Sequence, residues 1–266
     1  MTLTLGDGPL AARSPDTVNY RINGPTHRLF WHAFPRRIRA LFADQLVLDS
    51  GNASLLHESN LLPQLYVPRA DVRADLLEAS THTTHCPFKG DAAYESIRVG
   101  DRVAENAVWS YPRPIDSAAW LTGHVAVYWD AMDAWFDEDE EVFGHVRDPF
   151  HRVDARPTSR DVRVLAGNVE IATSRRALVV SETGLPNRYY LPKEDVRVEH
   201  LVPSATHTIC PYKGTAAYCS LQVDGAVIKD AAWLYPEPLP DACRLAGRLC
   251  FLAEGVRTLV DGVELD

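Results

Sequence analysis

Two cysteines stand in the same five-residue phrase, Cys86-Pro87-Phe88-Lys89-Gly90 and Cys210-Pro211-Tyr212-Lys213-Gly214. Proline after the cysteine and glycine four positions on favour a turn, and a turn brings Lys89 back toward Cys86 and Lys213 toward Cys210. An ammonium beside a thiol stabilises the thiolate, so these four residues are candidates for nucleophilic or redox chemistry. The competing expectation is a small buried cysteine that packs a loop. Glu58 and Glu182 are the second candidates. Each follows an apolar run, Leu55-Leu56-His57 or Val179-Val180-Ser181. A carboxylate at the end of a buried strand has its pKa raised and can serve as an acid or base. It is equally expected to pair with Arg39 or Arg163, since charged groups near a core are usually paired.

The third set is aromatic. Trp109 with Tyr111, and Trp233 with Tyr235, share a strand face at period two, and Tyr66, Tyr94, Tyr190 and Tyr218 are expected to join them. With Arg39 and Arg163 they are the candidate ligand-binding residues, because aromatic walls with a few polar groups make a small-molecule pocket. Ordinary core packing is the alternative. His85 and His207 do not occupy matching positions, so a shared Cys–His dyad is not expected. His82, His85 and Cys86 form a His-x-x-His-Cys cluster, answered later only by His207-x-x-Cys210, whereas a structural zinc takes four ligands. No metal and no cofactor are expected. Nucleotidyl transfer is disfavoured as well: Asp137-x-Asp139 belongs to an acidic run without a preceding Gly-Ser, and no phosphate-cradling glycine loop occurs.

The elements that must position these residues come from a duplication. From about residue 36 the chain repeats itself at an offset of 124 without a gap. Arg39 aligns with Arg163, Glu58 with Glu182, Tyr66-x-Pro68 with Tyr190-x-Pro192, and Trp109-x-Tyr111-Pro112 with Trp233-x-Tyr235-Pro236. A unit of roughly 105 residues is domain-sized rather than a solenoid repeat. Inside each copy the period is two. Tyr94–Val99, a Gly100-Asp101 turn and a strand toward Trp109 read as a hairpin, repeated at Tyr218–Val223 and Asp224-Gly225. Prolines 112, 114, 236 and 238 end strands, and one or two turns of helix are expected at 115–121 and 239–245. The expected fold is mainly β with little helix: two tandem small antiparallel-sheet domains at 36–141 and 160–266. An N-terminal arm (1–35) and a linker (142–159) complete the division. Phe30, Trp31 and Phe34 read as one helical face, and the acidic run at 137–141 as a solvated turn. The stretch 142–154, with His145, His151, Arg152 and Asp154, is expected to lie against a domain and help form a site or interface.

Composition narrows the function. The chain has 266 residues, 46% of them apolar, and a formal charge of −9. That is enough for a packed core and is unsuited to holding nucleic acid by its backbone. No apolar run reaches the roughly 20 residues of a membrane span, and the N-terminus lacks the pattern of a signal peptide. Five cysteines without framework spacing suggest reduced thiols and a cytoplasmic protein. The Cys-Pro-(Phe/Tyr)-Lys-Gly-x-Ala-x-Tyr phrase, the Trp-x-Tyr-Pro phrase, the two Tyr-x-Pro elements and the segment Asp133-Ala-Trp-Phe-Asp-Glu-Asp-Glu-Glu141 resemble the bacterial domain-of-unknown-function 427 family over residues 36–266. Some catalogues give that family a nucleotidyltransferase-like label. The resemblance implies a tent of small β-sheets, similar to methionine sulfoxide reductase B and the thalidomide-binding domain of cereblon. Those relatives hold zinc with two Cys-x-x-Cys pairs, and this chain has no Cys-x-x-Cys. The expected function is binding of a small polar or aromatic metabolite in aromatic-lined pockets. A cysteine-nucleophile enzyme and a non-catalytic structural or interaction module are the alternatives.

Overall fold

The computed structural model describes residues 23–265, together with Leu3, Thr4, Gly8, Leu10 and Asn19. The rest of the expected arm lies outside the described residues. The chain divides into two compact units, one ending at Asp148 and one running from Pro149.

Among the described residues the first unit contains eleven strands: β1 (Leu29–Ala33), β2 (Ile38–Phe42), β3 (Gln45–Ser50), β4 (Ser54–Glu58), β5 (Gln64–Pro68), β6 (Leu77–Cys86), β7 (Gly90–Val99), β8 (Arg102–Ser110), β9 (His124–Val127), β10 (Ala134–Asp137) and β11 (Glu140–Val142). They form a seven-stranded sheet in the order β1-β4-β5-β9-β8-β7-β6 and a four-stranded sheet in the order β11-β10-β2-β3. The second unit repeats this strand for strand: β12 (Val153–Pro157), β13 (Val162–Ala166), β14 (Val169–Ser174), β15 (Leu178–Glu182), β16 (Arg188–Pro192), β17 (Leu201–Cys210), β18 (Gly214–Val223), β19 (Ala226–Leu234), β20 (Arg248–Phe251), β21 (Val256–Val260) and β22 (Val263–Glu264). Its sheets run β12-β15-β16-β20-β19-β18-β17 and β14-β13-β21-β22. The pairings between these strands are antiparallel, and the expected duplication and mainly-β class are what the structure shows.

The period of two sends alternate residues to opposite faces, and the inner strands of the seven-stranded sheet are buried on both, while the edge strand β6 is largely exposed. One face meets the four-stranded sheet over Ile38, Ala40, Leu55, Val67, Val108, Val125 and Val127. The other carries Leu56, Tyr66, Tyr94, Tyr111 and Ala126, with Trp109 and Cys86 packed against them. It is capped by a 3-10 helix at Asp116–Leu121 whose Ala118 and Leu121 face the sheet. The second unit builds the same outer cluster from Leu178, Val180, Tyr190, Tyr235 and Cys250, under a 3-10 helix at Pro240–Leu245. The aromatic positions therefore belong to a second, smaller core on the sheet's outer face.

Two readings of local structure change. Phe30 and Trp31 lie on β1, paired antiparallel to β4, and not on a helix; Phe34 follows as a buried residue bonded to the Ala53 carbonyl. Backbone pairing to β4 overrides the apparent helical spacing. β1 and β12 lie in the segments read as arm and linker, and both are edge strands of their sheets. In the 142–154 stretch, Val146 is buried in the first unit's main core. The acidic run is a hairpin turn between β10 and β11, with Asp137 held by Arg36 at 2.6 and 2.7 Å.

Candidate functional site

The Cys-Pro-x-Lys-Gly phrase is the loop between β6 and β7, with Cys86 paired to Gly90 and Cys210 to Gly214. The expected turn forms: Lys89 donates its N–H to the Cys86 carbonyl at 3.2 Å, and Lys213 does the same to Cys210. Both glycines sit at φ +104°, and a Cβ at Gly90 would come within 3.2 Å of the Arg113 carbonyl. Glycine alone tolerates both conditions. The Lys89 carbonyl accepts from Ile115 N at 3.1 Å, and the Lys213 carbonyl from Leu239 N at 3.1 Å. The chain leaving the Trp-x-Tyr-Pro phrase thus ties the loop down.

This anchoring points each lysine inward. Lys89 Nζ donates to the Glu58 carboxylate, with side-chain exposures of 9% and 8%; Lys213 Nζ donates to Glu182 at 10% and 8%. The ammonium of Lys89 also lies 5.9 Å from the centre of the Tyr111 ring, and that of Lys213 lies 5.8 Å from Tyr235. A third group completes the array. His27 Nε2 donates to Glu58 Oε1 at 2.7 Å, and His151 Nε2 stands 3.8 Å from Glu182 Oε2. The histidine in turn lies on the loop's aromatic residue: His27 stacks on Phe88 at 3.8 Å, and His151 tilts against Tyr212 at 4.2 Å. Each unit thus holds a histidine–glutamate–lysine array over a tyrosine ring.

The surrounding phenols are held protonated. Burial, reinforced by Tyr111 and Glu58, drives the Tyr66 hydroxyl well above its usual range, and burial with the neighbouring Cys86 and Glu58 does the same to Tyr111. Tyr190 and Tyr235 are shifted the same way, again chiefly by burial. These hydroxyls therefore keep their protons and do not serve as bases. Trp233 Nε1 donates to Tyr190 OH at 3.0 Å, and the rings of Trp109 and Tyr66 meet at 6.3 Å. Tyr94 and Tyr218 bond through their hydroxyls to Thr84 and Thr208 at 3.0 and 3.1 Å.

Cys86 and Cys210 are half-buried against the outer clusters. The lysine ammonium expected to attend each thiol is instead bonded to a carboxylate. The expected Glu58–Arg39 and Glu182–Arg163 bridges do not form. Arg39 lies on β2 in the four-stranded sheet, where it donates to Asp139 at 2.9 Å and stacks over Phe136; Arg163 bonds Asp161 at 3.0 Å. The glutamates are on the other sheet, so both arginines leave the candidate site. The His-x-x-His-Cys residues diverge, His82 toward the Tyr94 ring and His85 toward Asp91 at 2.7 Å. Among the described residues no group of three His, Cys, Asp or Glu side chains is placed to hold a metal ion.

Sequence reasoning missed His27 and named His151 only within the 142–154 stretch expected to help form a site or interface, although a signal for the pair existed. Pro25-x-His27-Arg28 and Pro149-x-His151-Arg152 stand at the same offset of 124. Around the array the two copies differ. In the first unit Trp31 contacts Trp120 at 5.0 Å and His124 at 5.1 Å; Ala155, Arg244 and Arg248 take those positions in the second. A cavity of about 380 Å³ opens beside His27, lined by Leu10, Pro25, Leu29, Phe88 and Ile115 among others. Trp109, Tyr66 and Tyr94 do not line it; they fill the outer core.

No match to a curated protein was found. The model of the domain of unknown function DUF427 matches residues 31–138 and again 154–262, beginning within β1 and at β12. Two matches spanning most of the chain, each enclosing one Glu–Lys pair, show that this protein belongs to the DUF427 family and carries its domain in two tandem copies.

Proposed function

We propose that the first unit binds a small metabolite with an apolar or aromatic body, seated beside His27, and that the protein is a binding module. The observation that supports this is the cavity itself. It falls within the usual size range of ligand sites, its walls are mainly apolar, and among its few polar lining residues is His27, which is held from behind by Glu58 and through it by Lys89. Glu58 holds the His27 ring by its Nε2, and Phe88 fixes the ring plane, so the site is organised before ligand arrives. The His27 side chain is 23% exposed against 5% for His151, which favours the first copy as the open one. Lys89 is spent on Glu58, which counts against Cys86 as an activated nucleophile. Cytoplasmic residence is part of the same reading, supported by five unpaired cysteines. Among the described residues no helix is long and apolar enough to cross a membrane.

The test is a thermal-shift screen of metabolites on the full chain, followed by His27→Ala and Phe88→Ala. Hits that raise the melting point of the parent protein and lose their effect in both variants support the reading. A screen without hits, or hits untouched by both substitutions, rejects it.

A further inference from the structure

A second groove on the first unit, of about 570 Å³, is independent of the His27 site. Trp129 and Trp135 both line it, their rings stacked at 4.4 Å and 10° between planes. Trp135 Nε1 donates to the Trp129 carbonyl at 2.9 Å, which fixes the pair. Tyr128 forms a wall, 48% exposed, and is backed by Trp109 at 4.5 Å. Leu62 and Pro63 stand on one side, and the segment Gly144–Val146 on another.

These aromatics are not a requirement of the fold. The second unit builds the same strands with Leu252, Ala253 and Leu259 in place of Tyr128, Trp129 and Trp135. Among the described residues lining the groove there is no lysine or arginine, and Asp130 supplies the one carboxylate. Indole and phenol faces carry negative electrostatic potential and attract cations, most strongly where water is partly excluded. A carboxylate beside them adds attraction of the same sign. The net charge of −9 favours the approach of a cation further.

We propose that this groove is a binding site for a small organic ammonium, held by the Tyr128 and Trp129 rings and by Asp130. The experiment is isothermal titration of the full chain with choline, and with 3,3-dimethylbutan-1-ol, which has the same shape without the charge. Saturable choline binding at one site is expected, with the neutral isostere about tenfold weaker or more, in line with a desolvated cation–π contact. Asp130→Asn, at an exposed position, removes the ion-pair attraction and weakens choline binding about fivefold, and Trp129→Ala, the residue of the second unit, abolishes it. Circular dichroism verifies that both variants are folded. Absence of saturable choline binding, equal binding of the isostere, or unchanged binding in Asp130→Asn would each overturn the proposal.

Discussion

Lys89 and Glu58 are joined as a buried ion pair although 31 residues separate them, and Lys213 and Glu182 repeat the relationship. Removing one partner of a buried pair leaves an uncompensated charge and costs about 3–5 kcal/mol. In the first unit, His27 still bonds Glu58, so Lys89→Met is expected at the lower end, about 3 kcal/mol. Glu58→Gln combined with Lys89→Met loses less than the sum of the singles, because the two act as one unit. Urea unfolding of the four proteins of the cycle measures this. Strict additivity would mean that the pair carries no coupling.

Gly90 and Gly214 are a second control point. Alanine at φ +104° is strained, and its Cβ at Gly90 would press on the Arg113 carbonyl, a backbone atom with little freedom to retreat. Gly90→Ala is expected to cost about 2–3 kcal/mol. Gly51→Ala is the comparison: nothing lies within 4 Å of a Cβ there, so it is expected to be neutral or slightly stabilising. Equal melting temperatures for the two variants would contradict the loop geometry.

Cys250 supplies a pH dependence with a definite sign. Burial pushes its thiol from an ordinary 9.0 up to about 12. Below pH 9 both the folded and the unfolded chain hold the proton, so the thiol has no effect on the slope. Above pH 9 the unfolded chain releases the proton while the folded chain keeps it. Stability therefore falls with rising pH toward 12, by at most about 1.4 kcal/mol per unit from this group. Cys250→Ala, which copies Ala126 of the first unit, removes that contribution. Denaturant midpoints at pH 8 to 10.5 should show a shallower alkaline decline in the variant; parallel curves would be evidence against the assignment.

Thiol reactivity should rank with access. Cys243 is exposed, Cys86, Cys210 and Cys219 are half-buried, and Cys250 is fully enclosed. Burial also raises the Cys219 thiol. Iodoacetamide followed by peptide mapping is expected to label Cys243 first and Cys250 last under native conditions. If Cys86 were labelled ahead of Cys243, the thiol would be activated and the cysteine-nucleophile reading would return.

The sequence by itself determined the duplication, the strand-rich character and the Cys-Pro-x-Lys-Gly turn. These are local properties: alternation sets which face a residue takes, and proline and glycine set where the chain reverses. It also showed that Glu58, Lys89 and Tyr111 each recur at one offset, without saying that they meet. The extent of the repeat was harder to read. β1 and β12 share no residue at matching positions, and an edge strand held by backbone bonds to β4 or β15 accepts almost any side chain. Partner choice was decided only by the tertiary structure. A buried carboxylate attracts any nearby cation equally, and no spacing tells whether Arg39 or Lys89 will reach it. Arg39 was excluded because β2 belongs to the four-stranded sheet, while the β6–β7 turn delivers Lys89, and the chain entering β1 delivers His27, to the end of β4.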